Sequence, residues 1–168
     1  MLRRSMEDKM IAVKDIMVAT DFDPASEAAL AYGRTLARAF GATLHLFHAS
    51  ENFFLRPSAI DPAALKASTQ RRLEERLTDV ERRNRSACAA LVTSDQPADA
   101  IIEYAKSAQI DLIVMGTHGR TGISHVLMGS VAEHVVRSAP CPVLTVRHPE
   151  RTFLVSDEAP ATRETRPS

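Results

Sequence analysis

An excess of charge of either sign is the first thing this chain lacks. Its 21 Lys and Arg residues are matched by 21 Asp and Glu residues across 168 positions. A broad field of the kind that holds nucleic acid or an anionic membrane is therefore not expected, and any anion site has to be local. Cysteine is scarce as well. Cys88 and Cys141 are the only two, too few for a disulfide scaffold. The opening Met1-Leu2-Arg3-Arg4-Ser5-Met6-Glu7-Asp8-Lys9 does not lead into the apolar stretch of a secretory leader. A reducing cytoplasm is the expected setting. Long apolar runs are missing too: the candidates are a handful of residues long, against the ~20 that a membrane helix needs, so no span is expected.

What is present is the composition of an ordinary globular domain, 45% hydrophobic and 25% charged. The length suits one domain with a real core. Five short apolar runs alternate with helical stretches, which is the pattern of strands crossed over by helices. The runs are Ile16 to Ala19, Thr43 to Ala49, Cys88 to Val92, Asp111 to Met115 and Val143 to Val146. Asp23 reads as an N-cap with Pro24 at the first helical position, and Ala29, Leu36, Ala37 and Phe40 follow at helical spacing until Gly41. After a loop through Arg56-Pro57 and Asp61-Pro62, one helix is expected from about Ala64 to Arg85, with Leu73, Leu77 and Val80 as its buried stripe. Its arginines alternate with Glu74, Glu75, Asp79 and Glu81, as on a solvated face. Further helices are expected from Pro97 to Ala108 and from Ser130 to Ser138. Parallel strands joined by right-handed crossovers make an α/β three-layer, doubly wound fold. Residues 1–14 read as an extension, 15–147 as the domain, and 148–168 as a polar tail, in large part disordered, with one apolar patch at Phe153-Leu154-Val155.

The chemistry gathers after the fourth strand, in a glycine-rich stretch from Gly116 to Ser130 that runs into a helix. Glycines let backbone N–H groups turn toward an anion, and a helix start adds unpaired N–H groups and a positive dipole end. The same glycines also serve a plain tight turn, and Ser130 a plain helix cap. Neither G-x-x-x-x-G-K-[ST] nor a G-x-G-x-x-G after the first strand is present. The spacing is instead G-x2-G-x9-G-S, on Gly116, Gly119, Gly129 and Ser130.

With that motif, with Met17-Val18-Ala19-Thr20-Asp21-Phe22 at the start and with Ser138-Ala139-Pro140-Cys141-Pro142-Val143-Leu144 at the close, the sequence resembles the universal stress protein family over residues 15 to 147. The resemblance implies a five-stranded parallel sheet in the order 3-2-1-4-5, Rossmann-like and akin to the adenine nucleotide α-hydrolases. It implies an ATP site built from Ala19, Thr20, Asp21, Ala49, Met115, Gly116, His118, Gly119, Arg120, Gly122, Gly129, Ser130 and Val131. In that site Asp21 and Ala49 meet adenine, the stretch from Gly116 to Gly122 wraps ribose and phosphates, and Gly129 with Ser130 closes on the phosphates. A cation, Mg2+ or Mn2+, rides on phosphate oxygens. Asp21 has a structural reading beside this one, holding the turn after the first strand. Two positions depart from the family pattern: Ala49 is smaller than the usual branched residue, and Asp95 stands where glycine is common. Both reshape the pocket.

The resemblance further implies a nucleotide-dependent stress sensor or regulator with an as yet unnamed protein partner. A homodimer is expected through strand 5, where Val143, Leu144 and Val146 form an edge that needs covering. Slow hydrolysis or self-phosphorylation, with Ser124 or Ser130 near the γ-phosphate, and an adapter that binds no nucleotide are the alternatives. No residue is assigned a catalytic role. His45 and His48, three apart on a strand, face opposite sides and cannot share a metal, and His118, His125 and His134 have no ligand spacing. Cys141, between Pro140 and Pro142 and without a C-x-x-C partner, reads as a packed thiol.

Overall fold

The computed structural model describes residues 11–50, 61–117 and 128–147. The chain runs β1 (Asp15–Ala19), α1 (Pro24–Phe40), β2 (Thr43–Ser50), α2 (Pro62–Glu74), α3 (Asp79–Asn84), β3 (Ala87–Thr93), α4 (Pro97–Ser107), β4 (Leu112–Gly116), α5 (Ser130–Ser138) and β5 (Val143–Val146). The five strands form one parallel sheet in the order β3-β2-β1-β4-β5. The architecture is Rossmann-like.

Because side chains alternate across a strand, the central strands, with apolar residues on both faces, feed two cores. Ile16, Val18, Leu44, Leu46 and Val114 pack under α1 and α2 with Ala29, Leu30 and Leu73. Met17, Ala19, Phe47, Ile113 and Met115 pack under α4 and α5 with Ile101, Ala105, Ala132 and Val135. Helix α1 comes close enough to the sheet that a Cβ on Gly33 would lie 2.2 Å from Cγ2 of Val18. Its ends are as expected: the Asp23 carboxylate accepts from the Ser26 N–H at 2.7 Å, and Gly41 closes the helix at φ 65°.

Three expectations need correction. The helix over Ala64 to Arg85 is two helices. The first begins earlier, at Pro62 under an Asp61 cap, and the second is started by a capping box in which Thr78 and Glu81 satisfy each other's backbone N–H groups. Val80 therefore leaves the buried stripe and is 56% exposed, while Leu73 and Leu77 stay inside. In its place Glu81 turns inward, where it pairs with Arg34 of α1 at 2.5 Å. Burial pushes the Glu81 carboxyl up, but Arg34 and the Thr78 N–H together outweigh it and hold the group below the ordinary carboxylate range. Phe40, in the last turn of α1, is 44% exposed and contributes little to the core. Strand β5 is an edge strand as expected, yet Val146 is buried, and of the three apolar residues Val143 and Leu144 are partly uncovered. The Arg56-Pro57 loop, most of the stretch between Gly116 and Met128, the Phe153 patch and both chain ends lie outside the described residues.

Candidate functional site

The order of the strands reverses between β1 and β4. Chain leaving β1 turns to α1 on one face and chain leaving β4 continues to α5 on the other, so a crevice opens at their carboxyl ends. It is a cleft of about 660 Å3, within the usual size of small-molecule sites. Of the thirteen residues singled out in the sequence, Ala19, Thr20, Asp21, Ala49, Met115, Gly116, Gly129, Ser130 and Val131 all line this cleft. His118, Gly119, Arg120 and Gly122 lie outside the described residues, as do Ser124 and His125.

The wall after β1 is a turn held by its own polar side chains. Thr20 Oγ1 accepts from the Phe22 N–H at 3.0 Å and lies 3.0 Å from Ser26 Oγ, and the Ser26 hydroxyl donates to the Asp23 carbonyl. Phe22 itself takes φ 66°, a left-handed conformation that is uncommon for a bulky residue. Asp21 accepts from the Asp23 N–H at a long 3.3 Å, so it braces the turn weakly while its carboxylate borders the cleft. Burial, together with the Asp21 carboxylate alongside, pushes the Asp23 carboxyl up, against the backbone N–H of Ser26 that pulls it down.

Across the cleft, Gly116 ends β4 against the start of α1. A Cβ there would lie 3.0 Å from Ala25 Cβ and 3.1 Å from its carbonyl carbon, so glycine at this position lets the start of α1 sit close against the end of β4. The Gly129 N–H donates to the Thr117 carbonyl at 2.7 Å, which brings the start of α5 back to the end of β4. Gly129 is the N-cap of α5 and Ser130 its first residue; no side-chain bond caps the helix. The structural reading of Ser130 as the cap therefore fails. Gly129, Ser130, Val131 and Ala132 place the amino end of α5, with its unpaired N–H groups, at the cleft.

The structure adds residues that the sequence did not single out. His48 Nδ1 donates to the Thr20 carbonyl at 2.7 Å, and its ring lies 4.6 Å from that of Phe22. Arg72 lies over the Phe22 ring, 4.1 Å from its centroid, with Arg76 at 4.6 Å. Leu65, Thr69 and Arg72 line the cleft from α2, and their spacing of four and three was a readable helix face. Asp95 and Ala49, the two departures from the family pattern, both border the cleft.

Residues 12–147 match the model described as the universal stress protein family. A universal stress protein of Thermus aquaticus is 35% identical over 143 residues, which cover 80% of this chain and 98% of that one. One of Methanocaldococcus jannaschii is 53% identical over 55 residues, but the match spans only 33% of this chain and 32% of the relative. Among solved structures, a universal stress protein in complex with cAMP is similar with a TM-score of 0.57 at 26% identity, over 82% of this chain and 98% of that one. A universal stress protein of Archaeoglobus fulgidus in complex with dAMP has the same fold, with a TM-score of 0.58 at 22% identity over 81% of this chain and 99% of that one.

Proposed function

This chain belongs to the universal stress protein family, and we propose that it binds ATP in the cleft at the carboxyl ends of β1 and β4. The observation that carries the reading is the meeting of Asp21 and the amino end of α5 on one cleft at the strand-order reversal. The relative solved with cAMP supports an adenine nucleotide as the ligand class.

Asp21 accepts from a ribose hydroxyl or from the adenine amino group, and Ala49 leaves room at the base. The N–H groups at the start of α5 and the Ser130 hydroxyl donate to phosphate oxygens, with His118, Gly119, Arg120 and Gly122 enclosing ribose and phosphates. These donors serve anionic oxygens and are not metal ligands. A hard cation, Mg2+ or Mn2+, is accordingly held by the phosphates, where it neutralises their charge. The protein acts as a cytoplasmic sensor or regulator in a stress response whose bound state alters a partner or a homodimer built on the Val143 and Leu144 edge of β5. Turnover of ATP, if present, is slow and secondary to binding.

Titration calorimetry with ATP and Mg2+ tests this, after a denatured sample has been checked for co-purified nucleotide. Saturable binding that weakens at least about tenfold in Gly119→Val and Ser130→Ala is the expected result. No binding and no co-purified nucleotide overturn it and leave the adapter, whose function rests on its dimer surface.

A further inference from the structure

At the opposite end of the sheet, three strands and a helix bring together a group that the nucleotide reading does not use. His45 of β2 and Cys88 of β3 are register partners on the α4 face. Cys88 Sγ lies 3.4 Å from His45 Nδ1, and His45 Nε2 lies 3.1 Å from Asp15 Oδ1 at the start of β1. Tyr104 of α4 places its hydroxyl 2.9 Å from the same Nδ1. The order is nucleophile, base and orienting carboxylate, the arrangement that activates thiols and hydroxyls elsewhere. Cys88 is also reachable, being partly exposed on an edge strand of the sheet.

We propose that Cys88 is a peroxide-reactive thiol, activated by His45 and Asp15 and oxidised to a sulfenic acid. In the resting state Asp15 accepts from Nε2–H, which leaves the Nδ1 lone pair facing Cys88 and Tyr104. The thiol proton passes to Nδ1, giving a thiolate beside an imidazolium whose charge Asp15 balances. Contact with Cys88, and then with Asp15, raises the imidazole above its ordinary pKa in spite of burial. The thiolate attacks one oxygen of the peroxide. The S–O bond forms, the O–O bond breaks, and the departing hydroxide takes the Nδ1 proton and leaves as water. Sulfur loses two electrons, the peroxide gains them, and His45 returns to its neutral form. The Tyr104 phenol, pushed up to about 12 by burial and by the neighbouring Cys88 and Asp15, keeps its proton and is a second donor to the sulfur.

The second cysteine is the built-in contrast. Burial and the nearby Asp111 push the Cys141 thiol up, against a backbone N–H of Ile113 that lowers it, and so keep it protonated. It precedes β5 while Cys88 lies on β3, four strand spacings away in the sheet order, or about 19 Å at ~4.8 Å each. An internal disulfide needs Cα atoms within ~7 Å, so the oxidised product within one chain is the sulfenic acid.

The test treats the native protein with hydrogen peroxide and a 1,3-diketone trap and follows each cysteine by peptide mass spectrometry. Cys88 is expected to form the adduct at least about tenfold faster than Cys141 in the same molecules, an advantage that disappears in urea and in His45→Asn. Equal rates in the native protein overturn the proposal. So does an advantage that persists in urea or in a His45→Asn variant that retains a cooperative melt; should that variant not fold, the native and urea rates decide alone.

Discussion

The two ends of the sheet are built from the same strands and treat polar groups in opposite ways. At the amino end each carboxylate has a donor. Asp111 accepts from the Lys14 and Asp15 N–H groups at 2.7 and 3.1 Å, and Asp15 takes the His45 ring. At the carboxyl end Asp21 and Asp23 stand together, with the Asp23 carboxyl raised by burial and by its neighbour, and a helix start faces open space. The amino-end carboxylates tie down backbone and a histidine of the sheet, whereas at the carboxyl end the Asp21 carboxylate, with its long 3.3 Å bond to the Asp23 N–H, and the start of α5 border a cleft. Substitution at the first end should therefore cost stability, and substitution of cleft side chains at the second should cost ligand affinity.

The largest effect sharpens the comparison by showing where the cleft is rigid. Gly116→Val pushes a branched side chain into the backbone of Ala25 and Ser26, so it should destabilise by about 2–3 kcal/mol and lower the melting temperature by roughly 5–10 °C. Next comes a matched pair. Asp111→Ala strands two backbone donors and should cost about 1–2 kcal/mol in a denaturant titration. Asp21→Asn keeps an acceptor for the Asp23 N–H and removes a like charge beside Asp23. It should leave stability within about 0.5 kcal/mol while weakening nucleotide binding about tenfold. If Asp21→Asn lowers the melt as far as Asp111→Ala does, the division between the two ends is lost.

The smallest effect is in pH. The His45 pKa is raised from 6.5 by Cys88 first and also by Asp15, against burial, and those two groups with Tyr104 are the titratable neighbours it touches. A raised histidine stabilises fully below its unfolded value and loses that contribution as pH climbs through the folded one. The wild type should thus lose stability relative to His45→Gln as pH rises from below 6.5 through the folded value, as followed by melts across that interval. A difference that grows with pH instead would mean that Asp15 and Cys88 do not favour the imidazolium.

Much of this was legible in the sequence because a parallel sheet is written in short apolar runs. The runs at Ile16, Thr43, Cys88, Asp111 and Val143 each became a strand within a residue or two of the expected bounds. The break at Leu77-Thr78 was hidden by a charge run that looks helical from end to end, although Thr78 and Glu81 at capping-box spacing were in plain view. Val80 had an apolar residue's claim on the core and lost it when the helix restarted in another phase. Register-dependent groupings were beyond sequence reading: Asp15, His45, Cys88 and Tyr104 come from four elements, and nothing in their spacing along the chain says that they meet. Of the cleft, residues next to strand ends and the Leu65, Thr69 and Arg72 face of α2 were readable from position, while Phe22 is brought in by a left-handed turn conformation that its sequence does not announce.

The bond from the Gly129 N–H to the Thr117 carbonyl makes the span between these residues a cassette. Both of its ends are fixed at one point on the framework, so its contents can be exchanged without asking the sheet to move. Closing a loop twice as long costs only about 0.6 kcal/mol more. Insertions between Thr117 and Gly129 should therefore cost little and leave the open five-stranded sheet and its helices in place.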